Sequence, residues 1–86
     1  MTAEHLRLLA ELLEMESDFL EECVRNGAIV LEDLPESGPR LTPSQVARLR
    51  RLQRLCLDLE IDPYAAGIIV DLMDRVDELE RELGRR

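Results

Sequence analysis

Apolar residues recur at helical spacing in four stretches of the chain. Leu6, Leu9, Ala10 and Leu13 share one face of a segment from about Ala3 to Leu13, with Thr2 ahead of it as a cap. After a short turn at Glu14 to Glu16, Leu20, Cys23 and Val24 form the inner stripe of a second helix, from Ser17 to Arg25, with Phe19 near its edge. Asn26-Gly27 ends that helix, because Gly takes the left-handed conformation at no steric cost. The pattern then changes. Ala28 to Leu31 is a short β-prone run, Glu32 to Pro39 holds two prolines and a glycine, and Arg40-Leu41 reads as a returning strand. A run, a turn-rich loop and a return predict a small hairpin.

Two start signals follow. Thr42-Pro43-Ser44-Gln45 is a capping box with Pro at the first helical position, in which Thr42 bonds the amide of Gln45 and Gln45 reaches back. Its inward stripe continues through Val46, Leu49, Leu52, Cys56 and Leu59, and the helix ends at about Leu59. Asp62-Pro63 repeats the signal and opens the last helix, from Pro63 to about Leu83, with Gly84 behind it. In that helix Ala65, Ile69, Leu72, Val76, Leu79 and Leu83 alternate spacings of four and three, a heptad seam. Asp71 with Arg75, and Asp77 with Arg81, stand one turn apart in the favourable acid-first order. The seam runs beyond what a small core can cover, so these six positions are the expected homodimer contact. Gly67 lies inside the same helix, where it costs about 1 kcal/mol relative to Ala, and is expected to allow close packing against another helix.

At 86 residues the chain fits one domain, a core over 1–62 with a dimerising helix over 63–86 as part of it. Phe19 and Tyr64 are the only aromatic residues, so Leu, Ile, Val and Met must supply the core. The net charge of −8 is unevenly spread. Residues 1–39 carry −8, residues 40–57 carry +5 from five arginines and no acid, and residues 58–86 carry −5. An acidic surface repels phosphate and attracts basic partners. All eleven basic residues are Arg, a bias with no evident physical reason. No stretch approaches the roughly 20 apolar residues that span a bilayer, and no basic region leads into an apolar run, so the expected compartment is the cytoplasm. There Cys23 and Cys56, both on apolar helix faces, are expected as buried thiols without a disulfide.

No catalytic constellation is present. His5 is the one histidine, and with Cys23 and Cys56 it lacks zinc-ligand spacing. Neither a phosphate-cradling glycine loop nor a nucleophile elbow occurs. The expectation is a protein that is not an enzyme and uses no metal or cofactor.

The order helix, turn, helix, hairpin, helix, long helix resembles the MerR-type winged helix-turn-helix. Leu9-Ala10-Glu11-Leu12-Leu13 looks like its first helix, and Met15 to Leu20 like the turn into its recognition helix. Asn26-Gly27-Ala28-Ile29 looks like the step into its wing, and Leu41 to Leu49 like the helix after it. The resemblance implies a mainly α fold with a β-hairpin wing and a long C-terminal coiled-coil helix. Glu14 stands where the DNA-binding class usually has a glycine. A DNA-reading helix also presents Arg, Lys, Asn or Gln. Here the outward positions of the second helix are Asp18, Glu21, Glu22 and Arg25, and the hairpin carries Glu32, Asp33 and Glu36.

One subgroup of this fold accommodates those acids. Leu20-Glu21-Glu22-Cys23-Val24-Arg25-Asn26-Gly27-Ala28-Ile29 and the stretch Ile61 to Asp74 are similar to the CbpM-like chaperone modulators, short MerR-related proteins without an effector domain. That resemblance implies binding to the J-domain of a DnaJ-like co-chaperone, limiting its stimulation of Hsp70. Asp18, Glu21, Glu22, Glu32, Asp33 and Glu36 are then the candidate partner-binding residues, facing the basic helical surface of a J-domain. Arg40, Arg48, Arg50, Arg51 and Arg54 sustain two other readings. They contact DNA backbone in a MerR-like transcriptional regulator, or they pair with neighbouring acids. A dimeric adaptor with an unrelated partner is the third functional class.

Overall fold

The computed structural model describes residues 3–34 and 38–85. Its elements in chain order are α1 (Ala3–Leu12), α2 (Ser17–Arg25), β1 (Glu32–Leu34), β2 (Gly38–Arg40), α3 (Pro43–Leu59) and α4 (Pro63–Gly84). Thr2 lies outside the described residues. The two strands pair antiparallel, with Glu32 opposite Arg40 and Leu34 opposite Gly38.

The helix starts are chemically explicit. Thr42 Oγ1 accepts from the Gln45 amide at 3.1 Å, and Asp62 Oδ1 accepts from the Ala65 amide at 2.8 Å, each ahead of a proline at the first helical position. The end of α1 is a Schellman turn. Met15 N donates to Ala10 O and Glu14 N to Glu11 O, with Glu14 at φ 55° in the left-handed position that favours glycine. Gly27 takes φ 80° after α2.

The core is one cluster. Leu20 and Cys23 of α2, Leu49 and Leu52 of α3, and Ala66 and Val70 of α4 are fully buried, closed by Ala10, Ala28 and Ile29. Leu6, Leu9, Leu13, Val24 and Cys56 pack around it, half-buried. Removing a buried leucine such as Leu20 or Leu52 costs about 2–5 kcal/mol.

The structure corrects four expectations. Ala28 to Leu31 is not a strand; β1 begins at Glu32. The amides of Ala28, Ile29 and Val30 donate to Asn26 Oδ1, Cys23 O and Gln45 Oε1, so this run is pinned to the end of α2 and the start of α3. Ala28 and Ile29 enter the core from there. Gln45 therefore does not reach back to Thr42 but holds Val30, at 3.3 Å. Leu59 is 54 % exposed, because the last turn of α3 overhangs the core. Finally, Asp71 and Arg75 do not pair. Asp71 meets Arg48 at 2.8 Å and Arg75 meets Glu78 at 3.2 Å, and no Asp77–Arg81 ion pair forms.

Gly67 also packs differently from expectation. A Cβ there would lie 3.3 Å from Ala28 Cβ, so the close approach is to the segment after α2, not to another helix. Among the described residues no helix is long and apolar enough to cross a membrane.

Candidate protein-interaction surface

Helix α2 is anchored by Leu20 and Cys23, which fixes what it shows to solvent. With those positions inward, Asp18, Glu22 and Arg25 form the exposed stripe and Glu21 sits half-buried beside it. Arg25 donates to Glu21 Oε1 at 3.2 Å, so the one base on this face is shared with an acid. The stripe is net negative. Arg25 is the one side chain of this stripe that could donate to a base edge, and each carboxylate of the stripe would meet a phosphate with like charge.

The hairpin contributes less free charge than the sequence suggests. Glu32 is exposed, but its carboxylate accepts from Arg40 Nε at 3.4 Å across the strand pair. Asp33 lies in β1, and Glu36 falls outside the described residues.

The arginines of α3 divide into two groups. Arg48 Nε donates to Ala28 O at 2.6 Å while its terminal nitrogen holds Asp71, and its side chain is 20 % exposed. Arg51 bonds Asp74 at 2.9 Å. Arg50 reaches back to Leu13 O at 2.7 Å, tying α3 to the end of α1. Arg54 is exposed and makes no hydrogen bond or ion pair among the described residues. Arg48, Arg50 and Arg51 thus cross-link helices.

Helix α4 changes character at Val70, the last of its buried residues. Every residue from Asp71 to Arg85 is exposed. At 1.5 Å per residue the 22-residue helix is about 33 Å long, so more than half of it projects past the core. Of the seam positions, Ala65 and Ile69 are half-buried in the domain, whereas Leu72, Val76, Leu79 and Leu83 are between 41 and 65 % exposed. Met73 joins them in a shallow cleft of about 270 Å³ with Ile69, Leu72 and Val76. Periodicity alone did not mark Met73, which sits beside the seam.

The thiols are protonated groups. Burial, reinforced by Cys56 and Glu22, pushes Cys23 up to about 12. Burial, with the charges of Asp62 and Glu22, also raises Cys56, which is only half-buried. Neither fits a reactive thiolate, which needs a depressed value. Among the described residues no group of three or more His, Cys, Asp or Glu could hold a metal ion.

Two helices joined by a tight turn, a hairpin after α2 and a projecting last helix form one continuous arrangement. Residues 5–85 match the family model described as MerR HTH family regulatory protein. The chain belongs to the MerR helix-turn-helix family. No curated protein and no solved structure matches it. Within this MerR-family frame, α2 stands at the position of the recognition helix, and its outward stripe is acidic.

Proposed function

We propose that this MerR-family protein is a non-enzymatic modulator that binds the J-domain of a DnaJ-like co-chaperone and limits its stimulation of Hsp70. The observation that carries the proposal is the outward face of α2, where exposed Asp18 and Glu22, with half-buried Glu21 beside them, stand against one arginine that is itself paired. A helix offered to DNA needs the opposite charge, and a helix offered to a basic protein surface needs this one. The partner's name comes from the resemblance of Leu20–Ile29 and Ile61–Asp74 to the CbpM-like modulators; the chemistry of recognition comes from the charge. The protein acts in the cytoplasm alongside its partner.

The reading includes a homodimer. Leu72, Val76, Leu79 and Leu83 form an apolar stripe beyond the reach of the core, and heptad spacing brings such stripes together. Two copies would present two acidic helices from one coil.

Charge reversal tests the surface. Asp18 and Glu22 are exposed, so replacing both by Lys leaves packing intact. The Asp18→Lys/Glu22→Lys protein should bind an isolated J-domain about tenfold or more weakly at low salt, and its affinity should respond less to added salt. Unchanged affinity would refute the site. DNA binding is the second reading, favoured by family membership and by the free guanidinium of Arg54. Duplex binding at about 50 mM salt that falls steeply as salt rises would support it.

A further inference from the structure

An open cleft separates α2 from α3. Its lining is Glu16, Phe19, Gln53, Cys56 and Leu57, and it encloses about 380 Å³. Phe19 and Cys56 rest on the core and form its floor. Leu57 stands at the rim, 74 % exposed. It is out of phase with Leu49, Leu52 and Cys56, so nothing in the domain covers it.

We infer that this cleft receives an apolar side chain from a basic amphipathic helix of a partner protein. The inference deepens the proposed function and rests on its acidic face. Charge selects the occupant: Glu16 lines the cleft, Glu22 follows Phe19 by one helical turn, and Asp62 begins the next helix close enough for its charge to reach Cys56. The cations one turn from the lining are Arg50, bonded to Leu13 O, and Arg54, and neither lines the cleft, where the one charged side chain is an acid. The walls select its form. Both are helices whose backbone groups are bonded internally, so an extended peptide finds no edge to pair with, whereas a helix needs none. A small molecule would leave Leu57 in water; a helix lying across the cleft covers it. A second copy of this chain is a poor occupant, because its own projecting helix is acidic, with six carboxylates against four arginines between Asp71 and Arg86.

Cys56 supplies a local reporter, since it lines the cleft while Cys23 is fully buried. The protein is treated with iodoacetamide at alkaline pH, and the Cys56 peptide is followed by mass spectrometry. The runs are alone, with a synthetic helical peptide of leucines on one face and lysines elsewhere, with the same peptide bearing glutamates, and with a J-domain. The lysine peptide should slow Cys56 alkylation about tenfold, the glutamate peptide should not, and Leu57→Glu should weaken lysine-peptide binding about tenfold while leaving the thermal unfolding midpoint unchanged. Equal protection by both peptides, lysine-peptide binding that leaves Cys56 unprotected, or full affinity in Leu57→Glu overturns the inference. Protection that grows with the protein's own concentration, without peptide, assigns the cleft to a second copy and overturns it too. If the lysine peptide protects and the J-domain does not bind, the inference holds and the proposed function falls. If the J-domain binds with Cys56 unprotected, the proposed function stands and the inference falls.

Discussion

Replacing Arg48 by Ala separates a structural arginine from a DNA-contacting one. Arg48 is the one residue of α3 that joins both the segment after α2 and helix α4, through Ala28 O at 2.6 Å and Asp71 Oδ1 at 2.8 Å. A hydrogen bond to a charged donor is worth about 1.5–3 kcal/mol. Ala28 is 8 % exposed, so its carbonyl loses a charged donor in a mostly dry setting. Asp71 is 69 % exposed, and its pairing adds only about 0.2–1 kcal/mol. Arg48→Ala should therefore destabilise the fold by about 2–3 kcal/mol, lowering the melting midpoint by roughly 10–20 °C in a domain of this size. Urea unfolding at fixed protein concentration reads the effect, as a lower midpoint with an unchanged slope. Arg54→Ala is the control and should stay within about 0.5 kcal/mol of the parent. A double-mutant cycle with Asp71→Asn should return a coupling of no more than about 1 kcal/mol, leaving the Ala28 contact as the larger part. An Arg48→Ala protein as stable as Arg54→Ala would refute the reasoning and return Arg48 to the pool of residues free for a ligand.

Three further outcomes follow from the same contacts. Gly67→Ala should be nearly neutral by urea unfolding, because about 1 kcal/mol of helix propensity offsets a tight 3.3 Å contact with Ala28, whereas Gly67→Leu should cost about 2 kcal/mol or more. Cys23, held protonated in the fold up to about 12 against an ordinary 9.0, contributes stability that is intact below pH 9 and falls above it. Between those values the unfolded chain has lost the proton and the folded chain keeps it, so stability should drop by about 1.4 kcal/mol per pH unit, and Cys23→Ala should remove that slope from a pH series of unfolding curves. Glu14→Gly should raise stability by up to about 1 kcal/mol in thermal unfolding, since Glu14 holds φ 55° where glycine is unstrained; a destabilised variant would mean that Glu14 contributes a contact outweighing its backbone cost.

The legible parts of the fold were those decided within a few residues. Thr42-Pro43 and Asp62-Pro63 mark helix starts because cap and proline act on their own turn, and both caps form as the sequence implies. Gly27 marks the end of α2 for the same reason. What escaped was decided by distant partners. Ala28 to Leu31 has the side chains of a strand, but its amides find better acceptors on Asn26, Cys23 and Gln45, and only the packed structure brings Gln45 near Val30. Asp71 was within reach of Arg75 along its own helix, yet Arg48 from α3 takes it, held in place by its second bond to Ala28. In the candidate surface, the outward acids of α2 could be read from the inward stripe of Leu20 and Cys23. The cleft beside them could not, since Leu57 looks like any other leucine until α2 and α3 are placed side by side.

The measurement that tests the central claim most directly is calorimetry of the unmodified protein against an isolated J-domain, at low and at physiological salt, with duplex DNA titrated in parallel. The account predicts micromolar or tighter binding to the J-domain that weakens as salt rises, and no heat with the duplex. Duplex binding with a silent J-domain would contradict it.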